Sequence, residues 1–127
     1  MHIRETKKER RADGNIWVTI VCYNDCEYEM GYLKYTEPNP ESSNEVNLQE
    51  IIVVEPRRHG LGTFLINYLK EITRTRHNSV PIIVPNIASL EYYDGREELE
   101  GVIRFYESNG FTVRRLSNTE AEGVYRF

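Results

Sequence analysis

The chain has 127 residues and a mass of 15.0 kDa, room for one hydrophobic core and too little for two. A charged fraction of 28% beside 39% hydrophobic residues excludes wholesale disorder. The formal charge of -4 and the sequence pI of about 5.4 argue against nucleic acid as the principal partner, because phosphate binding needs a dense basic surface.

The first residues run against that average. "RETKKERR" gathers Arg4, Lys7, Lys8, Arg10 and Arg11 around Glu5 and Glu9. Residues 1–14 are expected to be a basic, flexible leader, with a nucleic-acid arm as the alternative, and residues 15–127 a single domain. No apolar run approaches the ~20 residues of a membrane span, and no signal-peptide core opens the chain. A cytoplasmic protein with no membrane partner is therefore expected.

"NIWVTIVCY", Asn15 to Tyr23, follows the turn signal Asp13-Gly14 and is β-branched and aromatic, hence a strand. Asn24-Asp25 reads as a two-residue hairpin turn into "EYEMGYLKY", Glu27 to Tyr35, with Gly31 a bulge or close-approach point. That register sets Tyr23 against Cys26 and Cys22 against Glu27, so no disulfide is specified. His2, His59 and His77 are scattered and complete no four-ligand set with the cysteines, so no metal site is expected. "TEPNPESSN", 36–44, is a loop. In "EVNLQEIIVVE" alternation puts Leu48, Glu50, Ile52 and Val54 on one face and Gln49, Ile51 and Val53 on the other. Apolar residues on both faces toward its end mark a central strand.

Leu61, Phe64, Leu65, Tyr68, Leu69 and Ile72 then recur at helical spacing, while Asn67, Lys70, Glu71 and Arg74 face away. "VPIIVP" is a short buried strand. A long connection carrying Tyr92, Tyr93 and Asp94 follows, either a surface loop or an insert beside a cleft. "REELEGVIRFYESNG" predicts a second helix with Leu99, Val102, Ile103 and Tyr106 on one face, stopped by Asn109-Gly110. "FTVRRL" and "GVYRF" close the chain as strands joined by "SNTEAE". The order β-β-β-α-β-α-β-β predicts a mixed α/β sheet with a parallel pair at its centre and helices packed on it.

Between the third strand and the first helix lies Arg57-Arg58-His59-Gly60-Leu61-Gly62-Thr63. A helix starting there offers unpaired N–H groups and the positive end of its dipole, and glycines at 60 and 62 admit a bulky anion. Arg57 and Arg58 add charge-assisted contacts, so a phosphate or pyrophosphate is the expected ligand. The pattern is neither a P-loop nor a dinucleotide-binding fingerprint.

Arg57 to Gly62 resembles the acyl-CoA loop [RQ]-x-x-G-x-[GA] of the GNAT superfamily of N-acetyltransferases, and "FYESNGF", Phe105 to Phe111, resembles that family's [LF]-Y-E-x-x-G-F segment. The resemblance covers roughly residues 45–111 by motif. The family's pair of helices before the hairpin is absent, as in a trimmed form. Pro56 directly precedes Arg57 where the family often has V-x-P-x-x-R, a register shift of about two residues.

The resemblance implies a GNAT-like fold and direct transfer of an acetyl group from acetyl-CoA to a primary amine. The backbone of Ile52, Val53 and Val54 would hold the pantetheine arm, and Arg57 and the N–H groups of Arg58, His59, Gly60, Leu61, Gly62 and Thr63 the pyrophosphate. A strand N–H near Val53 would polarise the thioester carbonyl. Tyr106 would be the general acid toward the CoA thiolate; by periodicity alone it reads as a core tyrosine. Glu50 is the first choice as base, since a carboxylate among apolar strand positions would be pushed up if buried; an exposed edge or a structural salt bridge is the alternative. Glu98 and Glu100 stand second, and with Glu97 they would tolerate a cationic acceptor, small molecule or protein. Asn86 reads as a loop cap or a polar group near CoA. A catalytically inactive acyl-CoA-binding or protein-interaction module stays open, as does a homodimer through strands at the sheet end.

Overall fold

Nine elements account for the hydrophobic patterning: β1 (His2–Arg10), β2 (Ile16–Tyr23), β3 (Glu29–Thr36), β4 (Val46–Val53), α1 (Leu61–Arg76), β5 (Ile82–Ala88), α2 (Gly95–Ser108), β6 (Thr112–Arg115) and β7 (Glu120–Tyr125). The computed structural model describes residues 1–53, 60–88 and 95–127, without the side chains of residues 88 and 95–98. The strands form one sheet in the order β1-β2-β3-β4-β5-β7-β6, antiparallel throughout except for β4 beside β5.

Residues 2–10, expected as a flexible leader, are the edge strand β1. They pair with β2 from His2–Tyr23 to Arg10–Ile16 around a bulge at Thr6. A polar run without alternation carries no strand signal of its own; its conformation comes from β2 and from ion pairs, a tertiary override of local propensity. Arg4 meets Glu27 at 2.7 Å, Lys8 meets Glu37 at 3.0 Å, and Lys7 and Arg11 both meet Glu9, at 3.4 and 3.1 Å. These intramolecular carboxylates occupy the cations that a nucleic-acid arm would need free.

The β2–β3 hairpin also differs from its expectation. Tyr23 pairs with Glu29 and Cys22 with Gly31, with Met30 bulged between them. The connection is five residues, tied by Asn24, whose side-chain Oδ1 accepts from the N–H groups of Cys26 and Tyr28. Both cysteines are free, Cys22 buried and Cys26 exposed.

Both helices lie on one face of the sheet. α1 packs on β3 and β4, and α2 on β5, β6 and β7. They touch where Asn109 Nδ2 donates to Thr63 Oγ1 at 3.3 Å. Because α1 faces both the sheet and α2, it buries Ile66 and Thr73 besides Leu61, Leu65, Leu69 and Ile72, while Phe64 is left exposed. Lys70, expected to face solvent, is half-buried over the Tyr125 ring, 4.2 Å from its centroid. The core beneath the helices is built from Val18, Ile20, Leu33, Tyr35, Leu48, Ile82, Val84 and Ile87 with the inner faces of both helices.

Gly31 carries α1 close to the sheet. A Cβ there would stand 2.8 Å from the Ile52 carbonyl oxygen and 3.3 Å from Val53 Cα, both backbone atoms, with Leu65 Cδ1 at 3.6 Å. Neither backbone atom can rotate away, so Gly31→Ala should cost about 2 kcal/mol as overpacking, read from the denaturant midpoint.

Alternation in β4 breaks at Gln49. Leu48 pairs with Tyr35 and Glu50 with Lys34, so Gln49 is the extra residue of a bulge. Leu48 therefore shares the helix-covered face with Ile51 and Val53, and Glu50 and Ile52 turn to the opposite face with Tyr32 and Lys34. The expected grouping of Leu48 with Glu50 and Ile52 fails for this reason.

Candidate functional site

β4 and β5 run parallel through two paired positions, Val46 with Ile82 and Asn47 with Ile83. Beyond them β4 stays paired to β3 as far as Val53, and β5 to β7 as far as Ala88, with no ladder between β4 and β5. Pro85 and Asn86 stand against the single residue Glu122 on β7, a bulge that bends β5 and holds a proline, which has no N–H to give. The two parallel strands thus splay into a V. Its β4 wall is the backbone of Leu48 to Val53, whose β5-side polar groups are free to pair with an extended ligand as with another strand.

The start of α1 sits over the end of that wall: a Cβ on Gly62 would lie 3.9 Å from Val53 Cγ2. Gly60 is the N-cap, with φ 69° and ψ 16° in the left-handed region, no side chain caps the helix, and no acidic residue occupies its first turn. Gly60 donates no side chain but its carbonyl accepts from Phe64 N–H at 2.9 Å. The N–H groups of Leu61, Gly62 and Thr63 precede that first intrahelical bond and have no acceptor within the helix. The 16-residue helix adds its dipole at the same point.

The two glycines do different work. Around Gly60 a Cβ would meet nothing within 4 Å among the described residues, which leaves room on that side for a ligand. Around Gly62 a Cβ would stand 2.9 and 3.0 Å from the Phe105 ring, so the missing side chain here makes room for α2. Thr63 uses its hydroxyl to accept from Asn109, which leaves its N–H as its available group. Val54, Arg57, Arg58 and His59 lie outside the described residues.

Tyr106 is 5% exposed on α2, edge-on to Phe105 and Phe111 at 5.2 and 5.4 Å between ring centroids. The segment around it has a local physical account. Phe111 N–H donates to the Tyr106 carbonyl and Gly110 N–H to that of Glu107, with Gly110 at φ 90°, a Schellman C-cap completed by the Tyr106–Phe111 contact. Asn109, buried at the same turn, donates to the Phe105 carbonyl at 2.9 Å as well as to Thr63. The cap thereby ties the end of α2 to the first turn of α1. Sequence reasoning named Thr63 for its N–H and Asn109 as part of the helix stop, but not the bond between them, because the partner of the asparagine lies 46 residues away; Phe105 was given no role of its own.

Burial pushes the phenols of Tyr106 and Tyr35 far above their ordinary range. In the unfolded chain a tyrosine ionises near ~10. Both residues therefore contribute stability that is intact below that pH and is lost as the pH rises past it, because only the unfolded state releases the protons. The urea midpoint should hold steady between pH 7 and 9 and fall steeply above pH ~10.

Glu50 is half-buried on the face away from the helices. Tyr32 Oη donates to its Oε1 at 2.9 Å, and Lys34 Nζ stands 3.9 Å from its Oε2. Burial first, and then the bond to Glu50, push the Tyr32 phenol up. Of the weaker carboxylate candidates, Glu100 is paired with Arg115, and the side chains of Glu97 and Glu98, like residues Tyr92, Tyr93 and Asp94, lie outside the description. Asn86 is exposed in the β5 bulge. Among the described residues no group of three or more His, Cys, Asp or Glu side chains could hold a metal ion, and no helix is long and apolar enough to cross a membrane.

No family model and no curated protein matches the sequence. Solved structures do match. A PaiA N-acetyltransferase from Thermoplasma acidophilum in complex with coenzyme A superposes with a TM-score of 0.65 at 15% identity, over 87% of this chain and 61% of that one. The spermidine N-acetyltransferase SpeG from Vibrio cholerae, as its F149G mutant, gives 0.67 at 18% identity over 87% and 64%. An aminoglycoside 6'-N-acetyltransferase complexed with coenzyme A gives 0.62 at 15% identity over 87% and 72%. The chain thus spans less than two thirds of the first two proteins. By these superpositions the chain has the GNAT acyl-CoA N-acyltransferase fold, here a seven-stranded mixed sheet splayed at its one parallel pair with both helices on one face.

Proposed function

We propose that the protein is an acetyl-CoA-dependent N-acetyltransferase acting on a primary amine. The observation that carries this reading is the splay of β4 from β5 directly beneath the uncapped, glycine-started N-terminus of α1. An extended pantetheine arm would pair with the backbone of Ile52, Val53 and Val54. The pyrophosphate would meet the N–H groups of Gly60 to Thr63, with Arg57, Arg58 and His59 before them. Acetyl-CoA enters as donor substrate.

The neutral amine attacks the thioester carbonyl, whose developing negative charge is met by a β4 N–H near Val53. The C–S bond breaks and the sulfur leaves with the electron pair. Tyr106 donates a hydrogen bond to it. A phenol raised by burial is a weak acid toward a thiol of ordinary pKa, but the same dry surroundings raise the thiolate, and the proton follows; the second proton, shed by the newly acylated nitrogen, returns through water to the Tyr106 phenolate. Glu50 takes the proton of the incoming ammonium, directly or through water. Since two of the matching structures are described as spermidine and aminoglycoside N-acetyltransferases, polyamines and aminoglycosides are the acceptors to try first; a protein amine is the other class.

One observation favours a second reading, an acyl-CoA-binding module without turnover: Tyr106 is fully explained as a cap and core residue. We place the protein in the cytoplasm, where two free thiols persist. A homodimer would use β6, since the charges of β1 oppose edge pairing. Calorimetric titration with acetyl-CoA, followed by an assay of CoA thiol release with spermidine and kanamycin, tests the reading. Micromolar binding with acceptor-dependent thiol release is expected; absence of binding at millimolar acetyl-CoA would sink both readings.

A further inference from the structure

We infer that Tyr32 is a positioning residue for Glu50: it fixes one carboxylate oxygen and leaves the other facing the open side of the sheet as the proton acceptor. This rests on the acetyltransferase reading given above. The geometry has three parts. The Gln49 bulge turns Glu50 away from the helices onto the face it shares with Tyr32 and Lys34. There Oε1 is committed, accepting from Tyr32 Oη at 2.9 Å, whereas Oε2 has Lys34 Nζ at 3.9 Å, beyond hydrogen-bond reach. Ile52, next along the same face, is exposed, so the position lies open beside the splayed end of β4.

A carboxylate on an exposed strand face ordinarily samples several rotamers. A bond from a half-buried phenol to one oxygen removes most of them and leaves the second oxygen at a fixed place, as the orienting partner of a base does elsewhere. The charged and titratable groups facing Glu50 among the described residues are Tyr32 and Lys34 from β3, with Glu29 acting on Tyr32 from the start of that strand. Lys34 holds the site electrostatically without filling it. An incoming ammonium would approach Oε2 beside the Lys34 side chain, which is one-third exposed.

Removing the phenol hydroxyl frees Oε1, so the carboxylate regains the rotamers that the bond had removed. In Tyr32→Phe kcat for spermidine acetylation at neutral pH should fall roughly tenfold, with KM for acetyl-CoA unchanged. Lys34→Met should lower KM for spermidine, because its competing cation is gone.

A measurement without turnover separates this inference from the reading it rests on. With ¹³Cζ-labelled tyrosine, the Tyr32 resonance, identified by its loss in Tyr32→Phe, should titrate at lower pH in Glu50→Gln than in the wild type. An unchanged titration shows that the phenol does not hold the carboxylate, and the inference falls whatever the enzyme does. A shifted titration with an unchanged kcat in Tyr32→Phe overturns the positioning role and leaves the acetyltransferase reading standing. Failure of the wild type to bind acetyl-CoA removes that reading, and with it the role of Tyr32 in the reaction.

Discussion

Gly60→Asp is expected to weaken acetyl-CoA binding roughly thirtyfold to several-hundredfold while leaving the fold intact. Among the described residues nothing lies within 4 Å of a would-be Cβ on Gly60, and in the proposed complex the pyrophosphate lies there. A carboxylate in that place meets the ligand's like charges in a partly desolvated mouth, a juxtaposition that costs on the order of 2–4 kcal/mol. The same carboxylate suits the helix, because α1 lacks both a side-chain cap and an acidic residue in its first turn. Binding and stability are thus pushed in opposite directions, which a general folding defect cannot imitate. The positive φ of 69° is strained for any side chain, yet asparagine and aspartate tolerate it best. Gly60→Asn is therefore the control: equal shape, equal strain and no charge, with binding within about fivefold of the wild type. Calorimetry beside a thermal melt reads all four quantities. Equal losses in the two variants would mean that shape and not charge governs the site, and the pyrophosphate would have to lie elsewhere.

Tyr106→Phe should lower kcat by roughly a hundredfold to a thousandfold with the dissociation constant for acetyl-CoA unchanged, the size expected for loss of a general acid. The ring keeps its edge-on packing with Phe105 and Phe111 and its place in the Schellman cap. Stability should accordingly move by no more than about 1 kcal/mol. Because burial holds the phenol protonated far above its ordinary range, wild-type turnover should show no alkaline limb from this residue up to pH ~10. A variant with wild-type kcat would assign Tyr106 to packing alone and favour a different proton source. Loss of both binding and melting cooperativity would show that the hydroxyl serves the core.

The elements with their own periodicity were legible. The α1 stripe, the Asn109-Gly110 stop and the β-branched runs of β2 and β4 each carry a local signal, and the order of elements from residue 15 onward matches. What failed needed a partner to be known. β1 has no alternation and becomes a strand through β2; the β2–β3 register depends on a five-residue turn set by the Asn24 side chain. Ile66 and Lys70 are inward because α2 lies against α1, which no single-helix pattern contains. The candidate site divides in the same way. Gly60 was legible as a helix start, whereas the packing constraint on Gly62 was not, since it comes from Phe105, 43 positions later. The Tyr32–Glu50 bond was invisible because one uncounted residue in β4 changes which side chains share a face.

That residue, Gln49, makes β4 two strands in different phase. Before it the odd positions point outward, after it the even ones do, so a single chain segment serves the core with Leu48, Ile51 and Val53 and the open face with Glu50 and Ile52. The carboxylate's access to water is therefore a matter of counting, not of side-chain chemistry. A strand that kept this glutamine in regular alternation, without the bulge, would retain every candidate group and direct Glu50 into the helix-covered interior, with Ile51 taking its place outside.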